Sequence, residues 1–140
     1  MPFASHPLQV EWAACVVEHT VIDEINILQA TLRAMEGAVA QLPCAPDRVL
    51  VDGNKVPPGL AANGECIIGG DDKSFVIGAA SIIAKVTRDR LMLALDARFP
   101  VYGFKQHKGY GTRAHMEAIA THGPCAVHRL TFAPMKHMKR

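Results

Sequence analysis

The chain has 140 residues, 49% of them apolar and 20% charged, with a net charge of +2. That length predicts one domain able to bury a core, and the composition excludes a disordered chain. The charge is too weak to draw in an anionic partner by a global field, so any nucleic-acid chemistry has to be local. Cys15, Cys44, Cys66 and Cys125 are far apart and form no CxxC pair. They read as reduced, packed thiols of a cytoplasmic protein rather than as disulfides or a structural zinc site. No apolar stretch approaches the ~18 residues of a membrane span, and Met1–Pro7 has neither the basic nor the apolar region of a signal peptide.

Leu8–Val17 is apolar and valine-rich and predicts a strand. Thr20-Val21-Ile22-Asp23 fits a capping-box helix start. Beyond it, Ile25, Leu28, Leu32, Met35 and Val39 recur at spacings of three and four, one core-facing side of a helix that Pro43 and Pro46 end. Val49–Val51 predicts a short buried strand closed by the turn Asp52-Gly53-Asn54. Lys55–Asn63 reads as a loop, Cys66–Ile68 as a second short strand, and Gly69–Ser74 as a further loop. A helix follows from Phe75 or Ile77 to Leu95. On it Ile82, Val86, Asp89 and Leu93 fall within about 60° of one another at ~100° per residue, which puts Asp89 on or beside a buried stripe. Phe99–Thr112 reads as a long loop rich in glycine, aromatic and basic residues, and Thr112–His122 as a last helix stopped by Gly123-Pro124. Strands alternating with helices give an α/β class with at least one crossover.

Two aspartates occupy positions where aspartate builds structure poorly. Asp52 ends an apolar strand, and ligands of open α/β sheets gather outside such strand ends; simple turn chemistry is its alternative use. Asp89 lies inside a helix, where a solvated carboxylate is the ordinary case. Carboxylates at a strand tip and on a helix suggest a divalent-cation site, which usually needs more than two. The loop Lys105-Gln106-His107-Lys108-Gly109-Tyr110-Gly111-Thr112 pairs cationic side chains with a tyrosine. Lysines and backbone N–H groups suit phosphate oxygens, and a tyrosine ring stacks on a sugar or base. The alternative is a surface loop without a ligand. His115, His122 and His128 have no metal-ligand spacing and read as core or solvated residues.

Five stretches resemble ribonuclease HII: IDEINILQATLRAM (Ile22–Met35), VLVDGN (Val49–Asn54), GAASIIAKVTRD (Gly78–Asp89), YGFKQHKGYGT (Tyr102–Thr112) and HGPCAVHRLTFAP (His122–Pro134). The resemblance runs from about Val10 to the tail, and its third and fourth stretches are long and specific. It implies one ribonuclease H-like domain over residues 1–140, lacking the first two strands of the family sheet. It also implies cleavage of the RNA strand of RNA/DNA hybrids, and of single ribonucleotides embedded in DNA, with Mg2+ or Mn2+ held by four carboxylates. Asp52 and Asp89 match two of those carboxylates. Tyr110 matches the tyrosine that packs on the deoxyribose at the RNA–DNA junction, with Lys105, His107 and Lys108 beside the backbone.

The family's opening Asp-Glu-Ala-Gly-Arg-Gly segment, which supplies the other two carboxylates and the turn that reads the 2′-OH, has no match here. The expectation is therefore an amino-terminally truncated, monomeric, cytoplasmic ribonuclease HII with little activity alone. Its sheet should show a gap between the Leu8–Val17 and Val49–Asp52 strands. The alternatives are a catalytically dead remnant that still binds nucleic acid, and an unrelated small α/β domain.

Overall fold

The computed structural model describes residues 10–138. Five helices lie among them: α1 (His19–Ala40), α2 (Gly70–Lys73), α3 (Phe75–Arg98), α4 (Phe104–His107) and α5 (Arg113–His122). Two strands, β1 (Val49–Asp52) and β2 (Gly64–Ile67), complete the regular structure with three short 3-10 turns.

Residues 10–18 form no strand, and Leu8 and Gln9 lie outside the described residues. A strand exists only on a hydrogen-bonded edge, and this segment pairs with neither described strand. Val10 and Trp12 are exposed, while Cys15 lies against α1 at Gly37. A methyl group at Gly37 would stand 2.5 Å from Cys15 Sγ, so glycine is what lets the segment approach the helix.

The expected capping box does not form either. The cap of helix α1 lies two residues earlier, at Glu18, and makes no side-chain cap hydrogen bond. The capping group is Asn26, at φ 70° and ψ 168°, which breaks the helix internally. Its Oδ1 accepts from Gln29 N at 3.0 Å, so the second segment of α1 has its own start. At this ψ the backbone lies outside the left-handed helical well, in a region that glycine favours, and the asparagine side chain competes locally for a backbone N–H group. The Ile25-to-Val39 stripe is half-buried, apart from the exposed Leu28, and Ala30 is the fully buried position.

β1 and β2 pair in parallel, with Val51 opposite Cys66 and Asp52 opposite Ile67. The connection is the 53–63 segment, whose 3-10 turn Pro58–Leu60 buries Leu60 below the strands. Gly64 opens β2 where a Cβ would meet Leu60 O at 2.6 Å. The second strand therefore begins two residues before the expected Cys66 and ends before Ile68, which is 70% exposed. Among the described residues the sheet has only these two strands, so β1 keeps one unpaired edge.

After Gly69, at φ 65°, the expected loop is the one-turn helix α2, and Ser74 then caps α3 by accepting from Ile77 N. The helix is fully buried only at Ile77 along its length. The stripe expected to be buried is open: Ile82 is 65% and Leu93 54% exposed. The register was read from spacing alone, and the described strands do not reach that face. The other side of α3 packs Met92 and Leu95 on a core of Tyr102, Phe104, Ile119 and Met135. Tyr102 and Phe104 stack at 5.5 Å, and Tyr102 Oη donates to Gly123 O. The expected Phe99–Thr112 loop is thus largely structured, carrying a 3-10 turn and α4 into this core. No described helix is long and apolar enough to cross a membrane.

Candidate functional site

Asp89 lies on α3 and half-emerges, its side chain 30% exposed. Lys108 Nζ donates to its Oδ2 at 3.1 Å. That hydrogen bond, working against some desolvation and aided by the charges of Lys108, Arg88 and Lys85, holds the carboxyl below its usual 3.8. Oδ1 has no hydrogen-bond partner although it is shielded from solvent, and Arg88 stands 3.6 Å away. Arg88 turns its guanidinium instead to Tyr110, donating to the phenol oxygen at 2.7 Å with its carbon 5.3 Å from the ring centre. Tyr110 is nevertheless 60% exposed, so its ring is braced and still offered to solvent.

The loop that brings Lys108 and Tyr110 to Asp89 needs unusual backbone. Lys108 caps α4 at φ 52°, and Gly109 follows at φ 86°. Left-handed backbone is costly for lysine, so the surrounding contacts must hold it there. Beneath it His107 is buried, accepting from Gly109 N at Nδ1 and bonding Tyr102 O through Nε2. His107 therefore supports the loop from inside and does not face solvent, contrary to the expectation of a substrate contact. Lys105 is exposed on α4, its backbone N–H directed at Asp96 Oδ1.

Asp52 is exposed at the end of β1, and its Oδ1 accepts from Gly70 N at 2.9 Å. The small residue matters: a Cβ on Gly70 would come 2.7 Å from Ile77 Cδ1. The strand tip thus contacts the start of α2. The Arg88 brace on Tyr110 spans 22 residues and leaves no local pattern in the sequence.

Both aspartates offer the hard oxygen donors that magnesium or manganese prefer, and the unpartnered Asp89 Oδ1 is of the right kind. They do not amount to a centre. Among the described residues no group of three or more His, Cys, Asp or Glu could hold a metal ion. The second Asp89 oxygen is also taken by an ammonium group. The described residues fit part of a cation site, and no chemical step follows from them through a metal.

A family model described as Ribonuclease HII matches residues 8–135. A ribonuclease HII of Endomicrobium trichonymphae is 53% identical over 126 residues, covering 90% of this chain and 60% of that protein. One from Parvibaculum lavamentivorans is 56% identical over 117 residues, 84% of this chain and 44% of its own length. One from Acinetobacter baylyi is 50% identical over 125 residues, 89% and 66%. The chain therefore spans roughly half to two-thirds of the relatives it matches. On this match, and with a mixed helix-and-strand architecture consistent with the α/β ribonuclease H-like fold, the chain belongs to the ribonuclease HII family.

Proposed function

We propose that residues 1–140 form one ribonuclease H-like unit whose substrates are RNA/DNA hybrids and duplex DNA carrying single ribonucleotides. The observation that carries this reading is the Asp89–Lys108–Arg88–Tyr110 cluster. It sets an exposed, braced aromatic ring beside two cations and a carboxylate with an unused oxygen. Tyr110 packs on the sugar at the junction, and Lys108 and Lys105 contact backbone phosphates. Asp52 and Asp89 contribute two of the carboxylates of a Mg2+ or Mn2+ site, the cation supplying charge stabilisation for phosphodiester hydrolysis. The four free thiols accord with a reducing, cytoplasmic setting.

The ammonium group on Asp89 favours a second reading, in which the chain binds such duplexes without cutting them. A gel shift with a ribonucleotide-containing duplex separates the two. Binding that persists in EDTA, with no nicking in manganese, supports the second. Manganese-dependent nicking abolished by Asp52→Asn supports the enzyme, and no binding under any condition removes both.

A further inference from the structure

Three histidines, His107 beneath the Tyr110 loop and two more, stand in one buried line. His107, His115 and His128 are 6%, 4% and 6% exposed. His107 and His115 stack face to face, 4.0 Å between centres and 9° apart. Their protons can be assigned from the backbone, because a main-chain N–H only donates. Cys125 N donates to His128 Nδ1 at 2.9 Å, so the proton of His128 is on Nε2. That N–H meets His115 Nε2 at 2.9 Å, which must accept. The proton of His115 is then on Nδ1, and it donates to Tyr110 O at 2.9 Å. Gly109 N likewise fixes His107 with its proton on Nε2, donating to Tyr102 O.

Every nitrogen in the line is used once, and only with all three rings neutral. A second proton on His128 would face the Cys125 N–H, one on His115 the His128 N–H, and one on His107 the Gly109 N–H. We propose that His107, His115 and His128 are positioning residues, a tautomer-locked chain that holds the Lys108–Tyr110 segment in its substrate-facing geometry and releases it on protonation. This rests on the reading of Tyr110 and Lys108 as substrate contacts.

The surroundings favour the neutral state. Tyr102 and Phe104 pack their rings on His128 at 4.9 and 5.6 Å. On α5, Arg113 and Glu117 pair with each other and the His122 ring stands edge-on to Tyr102, while Lys108 pairs with Asp89. None of the described ion pairs sets a carboxylate against the three rings. Burial, then the neighbouring His115 and His107, push His128 down to about 4, with distant His19 adding slightly. Burial pushes His115 down as well.

Imidazole nitrogen NMR of the unmodified chain tests this. The expected pattern is Nε2–H on His107 and His128 and Nδ1–H on His115, with His128 titrating well below 6.5 and the Tyr110 ring resonances moving at the same midpoint. His128→Gln keeps a donor for neutral His115 and can turn to accept from a charged one, so Tyr110 should hold its position into acid. His128→Ala should displace Tyr110 already at neutral pH and weaken duplex binding in EDTA about fivefold, the scale of one lost hydrogen bond. A His128 that titrates at 6.5, or a Tyr110 ring indifferent to its midpoint, overturns the proposal. Should His128→Ala fail to fold, the titration of the unmodified chain decides alone. A linked titration without duplex binding at any pH upholds the histidine chain and removes the nucleic-acid reading instead.

Discussion

Asp23 shows how one side chain can tie distant parts of the chain together. Its carboxylate accepts from Leu130 N, Thr131 N and the Thr131 hydroxyl, across a sequence separation of up to 108 residues. Some desolvation acts against the charge, but these hydrogen bonds win and hold the carboxyl below 3.8. Asp23→Ala should cost about 1 kcal/mol, near the low end for a charge-assisted bond because the site is partly wet. Hydrogen exchange should show it as faster exchange of the Leu130 and Thr131 amides. Because the folded value is depressed, this stabilisation is present above 3.8 and fades as pH falls through the folded value. At the candidate site, Lys108→Met should return the Asp89 carboxyl toward 3.8, read by carboxyl-carbon NMR, since the lost hydrogen bond is the largest influence on it. Tyr110→Ala should weaken duplex binding by ~1–3 kcal/mol if the ring stacks as proposed, which a fluorescence titration would measure. Asp52 and Asp89 stand out as candidates in the sequence because aspartate is unusual in their places, and Lys105, His107, Lys108 and Tyr110 because their loop combines cations with an aromatic ring. Arg88 does not, because a brace between a helix and a loop has no period.

Helices α1 and α3 illustrate what periodicity does and does not convey. The spacing of Ile25 to Val39 located a helix correctly, yet the interruption at Asn26 follows from that residue's own side chain. In α3 the helix was legible and its buried side was not, since Ile82 and Leu93 are open while Met92 and Leu95 meet the core. Spacing reports which residues share a side; only the neighbours decide which side is covered. The short helices α2 and α4 escaped notice for a different reason: four residues hold about one turn, too few for a pattern. The core of Tyr102, Phe104, Ile119 and Met135 joins α5 to the segments around it. Ile119→Ala, at a fully enclosed position, should destabilise this unit by about 2–5 kcal/mol and lower the thermal midpoint. The histidine line gives the same unit a pH dependence. His128 and His115 have depressed values, so the unfolded chain takes up protons first. Their stabilisation is complete above 6.5 and declines as pH falls toward about 4, which urea midpoints across that range should follow.

The whole molecule carries more open apolar surface than a lone small domain usually tolerates. Phe75, Val76, Ile68, Ile82 and Leu93 are all more than half exposed, and β1 has an edge with no described partner. Such surfaces associate readily. The isolated chain should bind a hydrophobic dye and melt over a broad range; a sharp melt of a dye-negative monomer would contradict this. The expected gap between two strands is not seen, because residues 10–18 form no strand and the described sheet is the β1–β2 pair alone. The sequence by itself determined the family, the α/β class, and the placing of Asp52 at a strand end and Asp89 on a helix. Motif strings and local spacing are properties of adjacent residues and survive without coordinates. Only the tertiary structure decided that Arg88 braces Tyr110, that Asp23 ties α1 to residues 130 and 131, and that three scattered histidines share one line of protons. Those contacts join residues 13 to 108 positions apart, and their energies depend on burial and direction, which no linear spacing encodes.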